Sequence, residues 1–363
     1  MKEISLPPRL IAMLRRAVVL LFLTGCGELI GSDDYRVEKN PDAGSVVSPK
    51  DGLVGPDSAP VFQIAGSGLQ NARGQHGYGS RADVLYAANG IGPLDPAATL
   101  ERMSGITGVW ETVALDSPLT PRSAGGMLAV LNIGRPLTLW LIGGRGKSLG
   151  GPVTSIDEVE LGEPSAVVRT RTFEQARWDA CYALAGDPPK LYMLGGTFGD
   201  GFESAKDVVA CTGLDWDEEL QCKVVATWAD SRGVRCVAIG QKIYLLGGFI
   251  GATQSQVDVF DTATYTFAKP VFLPHPVSSN GVLAIGHRIW SFGDYELQGR
   301  VMVFNTLTHE SRAYDPVPSF VARRHAGVGV AGGKLWVFGG LRGGTSADVV
   351  EEVLEAPLQA FLP

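Results

Sequence analysis

The sequence predicts an all-β chain in which six copies of one strand-rich unit close into a ring, and three observations carry that expectation. First, a short apolar segment with an aromatic at its second place and glycine at its end recurs at Val61–Gly66, Leu139–Gly144, Leu191–Gly196, Ile243–Gly248, Ile289–Asp294 and Leu335–Gly340. Phe62, Trp140, Tyr192, Tyr244, Trp290 and Trp336 hold the aromatic place, although only 8% of the chain is aromatic. Second, the second-glycine positions 66, 144, 196, 248, 294 and 340 are 78, 52, 52, 46 and 46 residues apart, a period near 50. Third, the 47 glycines and 22 prolines fall between short β-like runs, with no amphipathic helical stretch of useful length.

An unbroken apolar run ending on glycines reads as a strand covered on both faces, since a strand with one wet face alternates. After each copy comes a loop and a strand opened by aspartate, as at Asp83, Asp157, Asp207, Asp258 and Asp348; Arg300 stands there in the fifth copy. A further strand carries a large aromatic, Trp110, Phe173, Phe267 or Tyr314, and a last one leads through an arginine-bearing turn into the next copy. Such sheets bury both faces only against neighbours, so the copies must close.

On the glycine pair, the following Asp-Val strand and the Pro-Arg turn, residues 60–363 resemble the kelch family, which implies a six-bladed kelch-type β-propeller of four-stranded antiparallel blades. The 78-residue interval then calls for an insertion at Gly90–Gly108, and the fifth copy is irregular because it lacks both Gly-Gly and Asp. Leu358–Leu362 is the expected outer strand of the last blade, and a segment within Ser45–Val54 the missing inner strand of blade one.

Upstream, Met1–Gly25 sets Lys2, Arg9, Arg15 and Arg16 ahead of the apolar run Ala17–Leu23, the pattern of a secretory signal rather than of a membrane span. Leu23-Thr24-Gly25-Cys26 resembles the lipobox of bacterial lipoproteins, which implies cleavage after Gly25, acylation of Cys26, palmitate included, and a place in the cell envelope with the outer membrane favoured by Gly27. Residues 26–59 are the lipidated cysteine and a polar tether, part of which joins blade one. Loss of the signal takes the formal charge from −7 to −10, which argues against a nucleic-acid partner.

Four cysteines remain. Cys211 and Cys222 end and begin neighbouring strands of one hairpin and are the expected disulfide, adding about 2 to 3 kcal/mol. Cys181 and Cys236 occupy equivalent places on inner strands of adjacent blades, where strands are expected to splay beyond the roughly 7 Å limit, so free buried thiols are expected.

Aligning the turns brings Arg122, Arg177, Arg232 and Arg324 to one rim, with His325 beside the last. In kelch proteins that bind acidic peptides, arginines at this place ring the channel mouth, and guanidinium forks suit carboxylates. The plainer reading is that they pair with local acids such as Asp179 or Asp230 and finish the turn. No metal-ligand spacing joins His76, His275, His287, His309 and His325, and Gly143–Gly151 lacks the following helix of a phosphate loop, so no metal or cofactor is expected. The expected function is a lipid-anchored extracytoplasmic module holding a protein segment or glycan at its rim. The alternative is an enzyme resembling sialic-acid mutarotase, in which Asp179 moves a proton beside a rim arginine in an open pocket.

Overall fold

The computed structural model describes residues 58–362 apart from 93–94, 97, 131–135, 147–150, 199–202, 216–217, 298, 316 and 344, together with the backbone of Leu23–Thr24 and Gly27–Ile30. The rest of Met1–Gly25, Cys26, the rest of the tether and Ser45–Val54 lie outside the described residues.

The chain forms a six-bladed β-propeller of antiparallel blades, each running outward from an innermost strand. Blade one is Gly77–Arg81, Val84–Ala88, Leu100–Ser104 and Trp110–Thr112. Blade two is Gly126–Val130, Thr138–Ile142, Ser155–Glu160 and Val167–Thr172. Blade three is Trp178–Ala185, Lys190–Thr197, Asp207–Thr212 and Gln221–Thr227. Blade four is Gly233–Ile239, Lys242–Ile250, Ala252–Asp261 and Thr266–Phe267, with Val271–Val277 as a fifth strand on the third. Blade five is Gly281–Ile285, Arg288–Phe292, Val301–Asn305 and Ser311–Tyr314. Blade six is Gly327–Ala331, Lys334–Phe338 and Val353–Pro357, and its outermost strand is Gln63–Ile64 from the N-terminal side.

That last pairing corrects the phase of the first copy. Val61–Gly66 is no glycine strand: Gln63 and Ile64 pair with Glu355 and Leu354 and close the ring. The glycine strand of blade one is Val84–Ala88, where the sequence predicts the aspartate strand, with Tyr86 in the aromatic place and Asn89-Gly90 in the glycine places. Counted from Gly90, the first interval is 54 residues, so no insertion is needed. Blade one has four strands without Ser45–Val54. Leu358–Ala360 is a 3-10 turn rather than an outer strand, and Phe361 wedges between blades five and six against Phe62, Trp290 and Phe292. The six true aromatics, Tyr86, Trp140, Tyr192, Tyr244, Trp290 and Trp336, are all buried, as a strand covered on both faces requires.

The glycine pair is where each blade meets the next. The first position has positive φ at Asn89, Gly143, Gly195, Gly247, Gly293 and Gly339, and a Cβ at Gly339 would lie 2.6 Å from the carbonyl oxygen of Arg73. The amide of the second position donates to the following blade's turn: Gly90 to Arg122 O (2.8 Å), Gly144 to Arg177 O (2.9 Å), Gly196 to Arg232 O (3.1 Å) and Gly340 to Arg73 O (2.7 Å). Only a residue free to take that conformation lets two backbones come so close.

Both cysteine pairs are disulfides: Cys211–Cys222 within blade three, and Cys181–Cys236 between the innermost strands of blades three and four. The expectation of free thiols at Cys181 and Cys236 is corrected by their Cα separation of 5.5 Å. Innermost strands converge toward the axis at this level. In the other four blades the same place is Gly77, Gly126, Gly281 and Gly327, and a Cβ at Gly126 would meet Tyr182 at 2.7 Å and one at Gly281 would meet Val328 at 2.6 Å.

Near the N-terminus, Leu23–Thr24 pairs with the innermost strand of blade two, and Gly27–Ile30 runs parallel to that of blade five. These two strands pair with each other and so bridge opposite blades across the axis.

Candidate functional site: the axial mouth

The arginine-bearing turns and the loops after the glycine pairs lie at one end of the ring. The turn arginines are Arg73, Arg122, Arg177, Arg232 and Arg323, so Arg323 rather than Arg324 is the equivalent in blade six, and Val277 stands there in blade five. All five guanidinium groups are buried. Each donates to the carbonyl of the first glycine place in its own blade: Arg73 to Asn89 O (3.2 Å), Arg122 to Gly143 O (3.1 Å), Arg177 to Gly195 O (3.0 Å), Arg323 to Gly339 O (3.2 Å), and Arg232 to Gly247 O. Four of them also meet an acid of the third strand or beside it: Glu101, Asp157 (3.0 Å), Asp258 (2.6 Å) and Glu352 (2.7 Å). These acids, rather than the carboxylates of Asp179 or Asp230, are their ionic partners; Arg232 meets Asp230 at its backbone carbonyl (2.9 Å). Arg177 makes no ion pair with a carboxylate among the described residues; burial brings its pKa down to about 10 against the weaker pull of Asp207, as it does that of Arg323 against the opposing Glu352.

Blade five is built differently: Val277 stands for the turn arginine and Met302 for the third-strand acid. Asp294 replaces the second glycine and lies 3.6 Å from Arg300, just before the third strand, with Asp315 2.8 Å from Arg300. The irregular copy therefore keeps a buried ion pair at the mouth, made from other positions.

Two residues beyond the turn residue the backbone has positive φ in five of the six blades, at Gln75, Ala124, Asp179, Ser279 and His325, Val234 of blade four being the exception. These places form a belt around the mouth: His325 N donates to Ser279 O, Gln75 N to His325 O, Ala124 N to Gln75 O and Asp179 N to Ala124 O, at 2.6 to 3.3 Å. A backbone in this unusual conformation is held by its neighbours in the ring and aims its side chain where a regular strand would not. On the belt Asp179 lies 3.6 Å from Arg235 of blade four, and the Gln75 amide lies 3.4 Å from His325 Nε2. Outside it, guanidinium groups stack on aromatic rings: Arg145 on Trp178 (4.4 Å), Arg177 on Phe198 (4.6 Å), Arg232 on Trp228 (4.9 Å) and Arg324 on Tyr295 (4.4 Å).

The sequence-derived set thus divides. Arg122, Arg177 and Arg232 point into their own blades, Arg324 sits one place further on beneath Tyr295, and His325 and Asp179 belong to the belt. Arg73, Arg323 and Arg235 were missed. The motif Arg73-Gly-Gln-His-Gly matches the other turns and signals Arg73, whereas nothing in spacing singles out Arg235. A catalytic carboxylate was required beside Arg122, Arg177, Arg232 or Arg324 in an open pocket. Asp157 and Asp258 are buried inside their blades, Asp179 meets Arg235 instead, and the cleft lined by Gln75, Asn89, Arg122 and Gly125 is too tight to admit water.

His76 and His325 are both held well below the usual histidine pKa, first by burial and then by nearby cations, Arg73 and Arg235 for His76, Arg235, Arg324 and His76 for His325. His76 packs between Tyr78 and Phe338 at the seam of blades one and six, with no acceptor or donor for either ring nitrogen among the described residues. A lowered folded pKa means that the unfolded chain binds more protons below about pH 6.5, so stability is present above that pH and falls as pH drops toward the folded value. Each histidine contributes a slope of up to about 1.4 kcal/mol per pH unit. Glu158, pushed up to about 7 by burial against the pull of Arg171, acts in the opposite sense between about pH 4.5 and 7. The expected result is a wild-type unfolding free energy that falls between pH 6.5 and 5.5, and a His76→Leu variant in which that fall is smaller, read by urea titration at both pH values.

Among the described residues, no group of three or more His, Cys, Asp or Glu is placed to hold a metal ion, and no helix is long and apolar enough to cross a membrane. No protein-family model matches the chain, and no curated protein matches it.

Proposed function

We propose that the chain is a kelch-like, lipid-anchored envelope protein of bacteria whose propeller is a binding module, with the axial mouth as its ligand face. One observation carries the choice of face: the belt holds Asp179, Gln75 and His325 in a fixed frame together with Arg235, and stacked guanidinium–aromatic pairs surround it. Fixed donors and acceptors beside rings are what a polar ligand requires.

Gln63–Ile64 runs antiparallel to Val353–Pro357, toward the mouth, so the residues just before it come from the far end. Gly27–Ile30, parallel to the innermost strand of blade five, runs the other way, from the mouth side toward the far end. A tether from acylated Cys26 would hold the propeller to the lipid. Cleavage after Gly25 would also remove Leu23–Thr24, one of the two strands bridging the axis.

Two experiments test the reading. Labelling with an alkyne fatty acid is expected in the wild type and not in Cys26→Ala; an unlabelled wild type removes the anchor. The unlipidated full chain, titrated with a polyglutamate peptide and with oligogalacturonate, is expected to bind at least one, and Arg235→Gln to weaken it about tenfold, as loss of a charge-assisted contact should. No binding, or undiminished binding by Arg235→Gln, overturns the assignment of the mouth.

A further inference from the structure

We infer that an arc of aromatic rings over blades three to five is a platform for an oligosaccharide, an inference that rests on the mouth being the ligand face. Within two residues of the second glycine place stand Phe198, Phe249 and Tyr295, which are 44%, 49% and 51% exposed. The same loops of blades one, two and six carry Ile91, Arg145 and the buried Leu341, so the exposed rings cover one side of the mouth.

Two of the three rings are braced from beneath. Arg177 stacks on Phe198 and Arg324 on Tyr295, which fixes one face of each ring on a cation while about half of each ring stays open. The face of an aromatic ring is electron-rich and attracts polarised hydrogens, as the C–H face of a pyranose presents them. Phe249 continues into Ile250, 52% exposed, at the tip of the long hairpin Lys242–Ile250 and Ala252–Asp261, which carries this ring out from its blade.

Oxygen acceptors are what this surface lacks. Nε of Arg324, beneath Tyr295, has no acceptor among the described residues, while Asp179 and Arg235 supply both hydrogen-bonding senses toward the axis. Sugar hydroxyls answer both needs, since each accepts and donates. A protein partner fits less well: stable protein interfaces bury about 800 Å² per partner around a contiguous apolar centre, whereas these rings sit on separate blades, two of them over buried cations, with the Asp179–Arg235 pair inward of them.

The test uses the full chain carrying Cys26→Ser, screened on an array of neutral and uronic-acid oligosaccharides, with the strongest binder then titrated against Phe198→Ala, Phe249→Ala and Tyr295→Ala. Each ring lost is expected to weaken binding about tenfold with the unfolding midpoint held, because all three rings are half in solvent. Binding of no glycan by the wild type, or equal affinity in the triple variant, overturns the platform. Binding of polyglutamate that depends on Arg235 without any glycan binding rejects the saccharide while keeping the mouth as the ligand face.

Discussion

Arg122→Leu is expected to lower the unfolding free energy by about 3 to 5 kcal/mol, because it leaves Asp157 charged and buried without its cation. The guanidinium also holds Leu141 O, Gly143 O and Ser155 O at 2.9 to 3.1 Å, so strands two and three of the blade lose their common donor at the mouth. Asp157 keeps Thr120 N, Thr120 Oγ1 and Thr170 Oγ1, which limits the damage. Arg177→Leu should be milder, since the third-strand acid near it, Asp207, is exposed rather than buried in an ion pair, and a cation whose pKa burial has lowered is removed. Urea unfolding of both variants checks the order, and Asp157→Asn added to Arg122→Leu is expected to restore part of the loss. Equal losses in the two single variants would mean that the ion pairs do not hold the turns.

The second large effect belongs to Cys181–Cys236. The bridge closes a sequence separation of 55 residues, for which loop-closure entropy gives about 4 kcal/mol; Cys211–Cys222, at a separation of 11, gives about 3. Cys181→Ala with Cys236→Ala should therefore lower the urea midpoint further than the same treatment of Cys211 and Cys222. The gap should exceed the entropic difference, because the first pair also joins two blades beside the axis while the second stays inside one hairpin. A larger loss on removing Cys211 and Cys222 would contradict that account.

Much of this architecture is legible in the sequence. Periodicity near 50 and the buried aromatic place identify blades because a glycine strand covered on both faces carries its pattern within seven residues. The first copy was misphased because Asn89 fills a glycine place: asparagine tolerates positive φ, so Val84–Ala88 works as a glycine strand without showing Gly-Gly. The disulfide between blades was hidden for a related reason. Only when the turns are aligned on Arg73, Arg122, Arg177, Arg232, Val277 and Arg323 do Gly77, Gly126, Cys181, Cys236, Gly281 and Gly327 share a column. That column admits either no side chain or two joined ones. The mouth was the least legible part. Arg235 and Asp179 are 56 residues apart in the chain and meet only because adjacent blades converge, and Tyr295 owes its place over Arg324 to packing between blades five and six.

The blades' mutual bracing is tested most directly by hydrogen exchange at the second-glycine amides, Gly90, Gly144, Gly196 and Gly340, each bonded to the next blade's turn. If the six sheets form one closed unit, these amides exchange only through global unfolding, with the same opening free energy and the same urea dependence. Gly340, whose acceptor is Arg73 across the closure between the last blade and the first, must then be as protected as Gly144 inside the array. Fast, urea-independent exchange at Gly340 beside slow exchange at Gly144 would describe an open stack fraying at its ends, and would contradict the ring.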